Sequence, residues 1–585
     1  MLLASTIGAV IAIGLMTIFI FSLFGSLAAI GTKQAVTVPS SAILAIDFSD
    51  GISEQSSDEP FNFQSMMNGG EMSTSSIGVL DAVRAIDQAA QDQAIKFIYI
   101  KECDFSAEMA HLEEIRAALM RFRSSGKPII AFGTNLSLGG WYIASTADKI
   151  YLTELASNQI FGISSQIFYL KDILERIGVN VQLIRHGKYK SAGEMFIAKD
   201  ISEANREQNQ SMISSMWKSI TEPIAESRNL PQGAIDEITN GLKASSSDKM
   251  IELGMIDGIR TKSEILTELC TLFGVEKEKD LKYISLSDYC SAAVKEDIKA
   301  KEKIAVIYAD GEINSGDDQE EITDGNFCKI IAKVRADSTV KAVVFRVNSP
   351  GGDAQAAELI RNEMTLLSKE KPVIASYGSY AASGGYWISA EADKIFTNAT
   401  TLTGSIGVFS MIPDFSRIIR EKLHVNPVFI KSNEHSDMLS LMKPFDETEL
   451  AYMQSSVEQI YDKFLGIVAD GRDMTVDAVN ELAQGRVWTG VQAVENHLAD
   501  ECGTLTDAIN YAATSAGLEN YRIVTYPTVK TQIEKILSNM SDTEETVRTL
   551  MNITDPEEFI NTLTKQAHEH TGCKAMMPYY YQFAF

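Results

Sequence analysis

The chain has 585 residues, 45% apolar and 22% charged; this excludes a wholly disordered polymer and is long for a single domain. Its 52 basic against 78 acidic residues leave a net charge of −26, which repels phosphate backbones and argues against a nucleic-acid partner. The six cysteines (Cys103, Cys270, Cys290, Cys328, Cys502 and Cys573) form no CxxC pair, so neither a zinc module nor a disulfide-dense scaffold is expected.

No charged side chain occurs between Met1 and Thr32. The apolar run from Ile7 to Ile30, as a helix, rises about 36 Å, enough to cross a hydrocarbon core of about 30 Å. A cleaved leader ending near Ser26-Leu27-Ala28 competes with this reading, but its apolar core is usually only ~7–15 residues. Residues 1–32 are therefore expected to form a transmembrane anchor. Lys33 alone follows the span, a weak charge signal that would favour the cytoplasmic side for what comes after. Further along, residues 53–75 read as a loop, and residues 70–92 and 202–227 as helices.

The rest of the chain is an internal repeat. Lys127-Pro128-Ile129-Ile130-Ala131 returns as Lys371-Pro372-Val373-Ile374-Ala375. The run GGWYIASTADKIYL from Gly139 returns as GGYWISAEADKIFT from Gly384, an offset of 245 residues. The starts AILAIDFSDGI, from Ala42, and KIAVIYADGEI, from Lys303, also match, each a buried strand entering a turn. Two related domains are expected, at about 40–296 and 300–520. Each alternates short apolar strands with helical stretches, the pattern of an α/β fold with a largely parallel sheet. In the second copy IAVIYA, AVVFRV, PVIAS and KIFTN read as strands and AQAAELIRNEMTLLSK as a helix. Residues 521–585 are expected to form a helical C-terminal extension, with helical patterns over 530–570 and an apolar end from Met576 to Phe583.

The copies have diverged in a complementary way. The second reads Ala381-Ala382-Ser383-Gly384-Gly385, where the first has Leu138 before Gly139-Gly140. The second carries Asn348-Ser349-Pro350-Gly351-Gly352-Asp353 after a strand, where the first has Glu102-Cys103-Asp104-Phe105. The first keeps Gly187-Lys188-Tyr189-Lys190-Ser191-Ala192, and the same offset from Lys190 lands on His435. One copy thus has a serine and glycine turns, the other a lysine.

A serine on a Gly-Gly turn entering a helix is exposed to attack chemistry, and the following N–H groups can face an anion. Gly351-Gly352 could bring a second N–H to the same point, because glycine permits close backbone approach. A lysine can serve as base if burial or a positive neighbour keeps it neutral. Each element has a plainer reading: a small helix-entry serine, a solvated surface lysine, an ordinary turn. A Ser-His-Asp triad using His424 or His435 is also open, although no GxSxG elbow accompanies them. No HExxH, EF-hand or Walker A pattern occurs, so neither metal nor cofactor is expected.

The anchor, the two copies and the motifs GKYKSA, AASGGYW and TLTGSIG together resemble signal peptide peptidase A in its long, duplicated, membrane-anchored form. The resemblance implies a serine protease with a Ser/Lys dyad, built from two tandem Clp protease/crotonase-like domains behind an N-terminal transmembrane helix. It implies Ser383 as nucleophile, Lys190 as general base, Ser405 holding the lysine, and the N–H groups of Gly384 and Gly352 as oxyanion donors. It also implies a homotetramer on the outer, periplasmic face of the bacterial cytoplasmic membrane, degrading remnant signal peptides. The chain departs from the family pattern at Met195, where a proline is expected. Two other classes stay open: a crotonase-like acyl-CoA enzyme, which would not need Lys190, and an inactive membrane scaffold, which would need none of the three side chains.

Overall fold

The computed structural model describes residues 36–48, 51–58, 75–104, 107–319, 321–528 and 573–577. The expected anchor over 1–32 and the helical patterns over 530–570 lie outside the described residues. Among the described residues no helix is long and apolar enough to cross a membrane.

The first copy is built on a six-stranded parallel sheet. Its order is Tyr283–Ser285, Ala42–Ile46, Ile95–Ile100, Ile129–Leu136, Lys149–Asn158, Gly258–Ile259. Every residue of Ala42–Ile46 is buried, because helices cover both faces. Ala42, Leu44 and Ile46 pack with helices Val79–Gln91 and Met109–Ser124; Ile43 points the other way, onto Ile265 and Leu269 of helix Lys262–Phe273.

The second copy repeats the plan. Lys303–Asp310, Val340–Ser349, Val373–Ala382 and Lys394–Thr397 are parallel neighbours. Arg522–Tyr526 adds to the Lys303–Asp310 edge. Leu402–Gly404 adds beside Val373–Ala382 and is paired antiparallel by Val487–Thr489. Helices Asp324–Ala336 and Ala354–Ser368 cover one face, and Leu505–Ser515 the other.

A third, mixed sheet joins the copies. It runs Ile322–Thr323, Ile313–Asn314, Gly351–Asp353, Lys574–Met576, Val408–Asp414, Asn180–His186. Asn180–His186 of the first copy pairs antiparallel with the whole of Val408–Asp414 of the second. Helix Glu203–Arg228 then lies on the second copy, where Ser215 and Thr489 share a hydrogen bond of 2.7 Å.

Some local readings change. The stretch 70–92 is not one helix: Ser75–Gly78 is a strand pairing with Ile52–Ser53 and Ser57–Asp58, and the helix begins at Val79. Glu54, within the stretch read as a loop, is buried and binds Arg346 of the second sheet at 2.7 and 3.0 Å. Glu114 at 2.8 Å from the same guanidinium, and His111 at 2.9 Å from Glu54, complete a buried polar cluster between the copies. A partner this far away in sequence leaves no local pattern. The described residues on either side of 530–570, Arg522–Tyr526 and Lys574–Met576, are strands. Near Met195 a tight turn forms without proline: Gly193 adopts φ 80° ahead of the helical turn Glu194–Ile197.

Candidate active site

Ser383 stands where strand Val373–Ala382 breaks into the short helix Gly384–Trp387. Its backbone lies at φ 56°, a region that L-residues enter only under constraint. The constraint is visible: its N–H donates to the Gly404 carbonyl at 2.8 Å, and its carbonyl accepts from the Trp387 N–H at 2.8 Å. Its Oγ does not cap the helix. That leaves the hydroxyl to Lys190, whose Nζ is 2.9 Å away.

Lys190 reaches this point because strand Asn180–His186 is zipped onto the second copy just before it. The Tyr189 N–H donates to the Gln484 carbonyl at 2.8 Å, and Arg185 holds the Lys190 carbonyl at 2.7 Å. The side chain is fully buried, and burial pushes its pKa well below the usual lysine value. Besides Ser383 Oγ, its Nζ meets Ser405 Oγ at 3.1 Å and the Ser405 carbonyl at 3.2 Å. A neutral amine has two N–H donors and one lone pair. Three partners match that capacity when Nζ donates twice to Ser405 and accepts the Ser383 hydroxyl proton. Ser405 is itself locked, at φ 49°, by its N–H to the Arg486 carbonyl at 2.7 Å.

The glycines converge on the same spot. A Cβ built on Gly384 would lie 3.0 Å from the Gly352 nitrogen, and one on Gly351 would lie 2.6 Å from the Gly384 nitrogen. Side chains are excluded there, and the two N–H groups stand close together. All five expected residues, Ser383, Lys190, Ser405, Gly384 and Gly352, therefore meet in one buried site at the junction of the copies. His435 contacts Glu449 at 3.2 Å.

Sequence reasoning missed the support around the lysine. Gly485, at φ 76°, packs so closely that a Cβ there would lie 2.5 Å from Lys190 Cβ. Buried Gln208 donates to the Tyr189 carbonyl at 3.0 Å and to Ser191 Oγ at 3.1 Å. In the sequence Gly485 only opens GRVWTGVQAVENHLADEC, a loose match to GLKASSSDKMIELGMIDG from Gly241 of the first copy.

A buried, constrained serine facing a lysine amine and paired glycine N–H groups belongs to a serine protease. The chain belongs to Peptidase family S49, whose family model matches residues 121–276 and 365–519, once in each copy. It is similar to Protease 4 of Haemophilus influenzae, 35% identical over 82% of this chain and 80% of that protein. Protease 4 of Salmonella typhi is 33% identical over 79% of this chain and 76% of its own length. The chloroplastic serine protease SPPA of Arabidopsis thaliana is 31% identical over 75% of this chain and 66% of its own length.

Proposed function

We propose that the chain is a membrane-anchored endopeptidase that degrades cleaved signal peptides through a Ser/Lys dyad. The observation that carries this reading is the 2.9 Å contact between Lys190 Nζ and Ser383 Oγ, with both groups fully buried. Lys190, held neutral by burial, takes the Ser383 proton as Oγ adds to the scissile carbonyl. The Gly384 and Gly352 N–H groups receive the developing oxyanion, and Ser405 keeps the amine aimed at Ser383. Lys190 returns the proton to the leaving amine, and water then hydrolyses the acyl-enzyme.

The first domain (40–296) supplies the base, and the second (300–520) the nucleophile and oxyanion donors, on Clp protease/crotonase-like folds. Residues 1–32 anchor the chain in the bacterial cytoplasmic membrane, with the catalytic domains on the periplasmic side. A relative from Enterococcus faecium, 39% identical over 36% of this chain, carries the name putative signal peptide peptidase, which supports the substrate class. Leu155 is 93% exposed, Val428 82% and Ile430 99%. Apolar side chains left in water on both copies support burial between subunits of a homo-oligomer, read here as a tetramer. An acyl-CoA reading leaves the buried Lys190–Ser383 pair without a purpose, and a scaffold needs neither residue.

An aryl phosphonate that reacts with activated serines tests the reading. Wild type should be labelled at Ser383, Lys190→Ala far more slowly, and Ser383→Ala not at all. Labelling of Lys190→Ala at the wild-type rate would reject the dyad.

A further inference from the structure

The first copy reaches the catalytic strands at a second place besides Lys190. Glu113, on helix Met109–Ser124, directs its carboxylate across the junction onto the loop between strands Lys394–Thr397 and Leu402–Gly404 of the second copy. It accepts the Ala399 N–H at 2.7 Å, the Thr400 N–H at 2.9 Å and the Thr400 hydroxyl. Among the described residues neither N–H has another partner, so the loop's backbone is satisfied from the other copy. The position 245 residues on is Glu358, which serves its own copy instead: it binds Arg361 at 2.8 Å and accepts from Trp387 Nε1 at 3.0 Å. The grip on the loop is therefore not a requirement of the repeated fold.

That loop leads straight into the site. Leu402, Thr403 and Gly404 pair in parallel with Tyr380, Ala381 and Ala382, the residues that run up to Ser383. The Gly404 carbonyl holds the Ser383 N–H at 2.8 Å, and Ser405 offers Lys190 Nζ its hydroxyl at 3.1 Å and its carbonyl at 3.2 Å. One three-residue strand and the residue after it thus anchor the nucleophile and the base together. Only Thr401 separates the strand from the loop that Glu113 grips, so a shift of the loop passes into both anchors. We propose that Glu113 is a positioning residue of the peptidase: it fixes the start of Leu402–Gly404 and so sets the alignment of Ser383 with Lys190. The proposal rests on the Ser/Lys reading above.

The three donors on Glu113 are uncharged. Loss of hydration at the junction pushes its carboxyl up to about 7; the donors pull the other way, and neighbouring Glu114 adds to the rise. Glu114 itself is paired with Arg346 at 2.8 Å. From other elements Tyr142 of helix Leu138–Ala144 and Cys502 of strand Glu501–Cys502 feel the charge on Glu113. Loss of hydration raises both, Cys502 to about 11, so neither ionises near neutral pH. Above pH 7 the carboxylate accepts from all three donors. Below it, a protonated oxygen becomes a donor and one of the three loses its acceptor. Glu113→Gln makes that loss permanent at nearly the same shape.

Hydrolysis of an apolar peptide by full-length wild type, Glu113→Gln and Ser383→Ala, followed across pH, tests this. At about pH 8.5 Glu113→Gln should lose on the order of tenfold in kcat, with KM within about twofold of wild type. At about pH 5.5, where wild type is protonated too, the two rates should agree within about twofold. The Lys190 amine titrates in both proteins and cancels from the ratio. A wild-type to Glu113→Gln ratio that is constant with pH, or a loss confined to KM, overturns the positioning role and leaves the dyad standing. Hydrolysis that is absent from wild type, or that survives in Ser383→Ala, overturns the dyad and the proposal with it. If Glu113→Gln does not fold, Thr400→Val decides. It removes one donor to the carboxylate and so raises the carboxyl pKa, and wild type should outrun it by more at about pH 7 than at about pH 8.5. An equal ratio at the two values overturns the proposal.

Discussion

Replacing Gly485 by alanine drives a methyl group into the backbone that carries the lysine. The new Cβ would stand 2.5 Å from Lys190 Cβ and 2.6 Å from its Cα and N. Non-bonded carbons rest at about 3.5–4.0 Å, so the two segments must part by about 1 Å. The glycine side is tied within the second copy: the Gly485 N–H donates to the Ile406 carbonyl at 2.8 Å, and the Arg486 carbonyl accepts from the Ser405 N–H at 2.7 Å. Much of the movement therefore falls on Lys190. A misplacement of about 1 Å at a reacting group costs on the order of 10²-fold in rate. The substitution also places alanine at φ 76°, which costs about 1–2 kcal/mol of stability by itself. Gly233 separates the two effects: its φ is 78°, and a Cβ there would meet nothing within 4 Å. Peptide hydrolysis and urea unfolding of Gly485→Ala and Gly233→Ala form the assay. Both variants should lose stability, and only Gly485→Ala should lose about 10²-fold in kcat/KM. If Gly485→Ala stayed within a few-fold of Gly233→Ala in rate, contact with Gly485 would not be what positions the lysine.

Other consequences follow from the same geometry. Ser383→Ala and Lys190→Ala should each abolish peptide hydrolysis, and the double variant should be scarcely slower, because the pair acts as a unit; a retained rate in Lys190→Ala would refute this. Ser405→Ala removes one of the two Ser405 contacts to Nζ and leaves the carbonyl at 3.2 Å, so kcat should fall by about 5–150-fold, equivalent to about 1–3 kcal/mol; an unchanged rate and pH profile would reject the orienting role. Burial lowers the Lys190 pKa, so the unfolded chain binds more protons than the folded one and this group's contribution to stability rises with pH. Lys190→Met should therefore be more stable than wild type near neutral pH, with the gap closing as pH approaches about 10.4, and urea melts showing the opposite slope would contradict the burial argument. The same lowered pKa predicts hydrolysis that rises with pH until the amine is neutral, a trend a pH–rate profile on the folded protein reads directly.

How the site could be read from sequence differs from residue to residue. The two copies were legible because buried parallel strands repeat as continuous apolar runs, and because KPxxA and the Gly-Gly turn recur at nearly the same spacing, 244 and 245 residues. Ser383, Gly384, Gly351 and Gly352 stood out for a local reason: a sharp strand-to-helix turn and a close backbone approach demand those residue types. Lys190 was singled out by its absence from the other copy and by resemblance, since nothing in its own neighbourhood distinguishes a buried lysine from a solvated one. Glu54 hid inside a stretch that reads as a loop, and Gly485 at the far end of the second copy, because each acts on a partner hundreds of residues away. Of Lys574–Met576 only Met576 falls in the stretch read as an apolar end, and the strand forms by pairing with Gly351–Asp353 and Val408–Asp414. Periodicity and repeated motifs thus determined the fold class, the duplication and the turn that carries Ser383, which depend on local backbone and burial preferences. The tertiary structure decided which lysine meets the serine, what holds it there and what lies across Gly351-Gly352, because strand pairing and side-chain contact are properties of two segments together and are written in neither one alone.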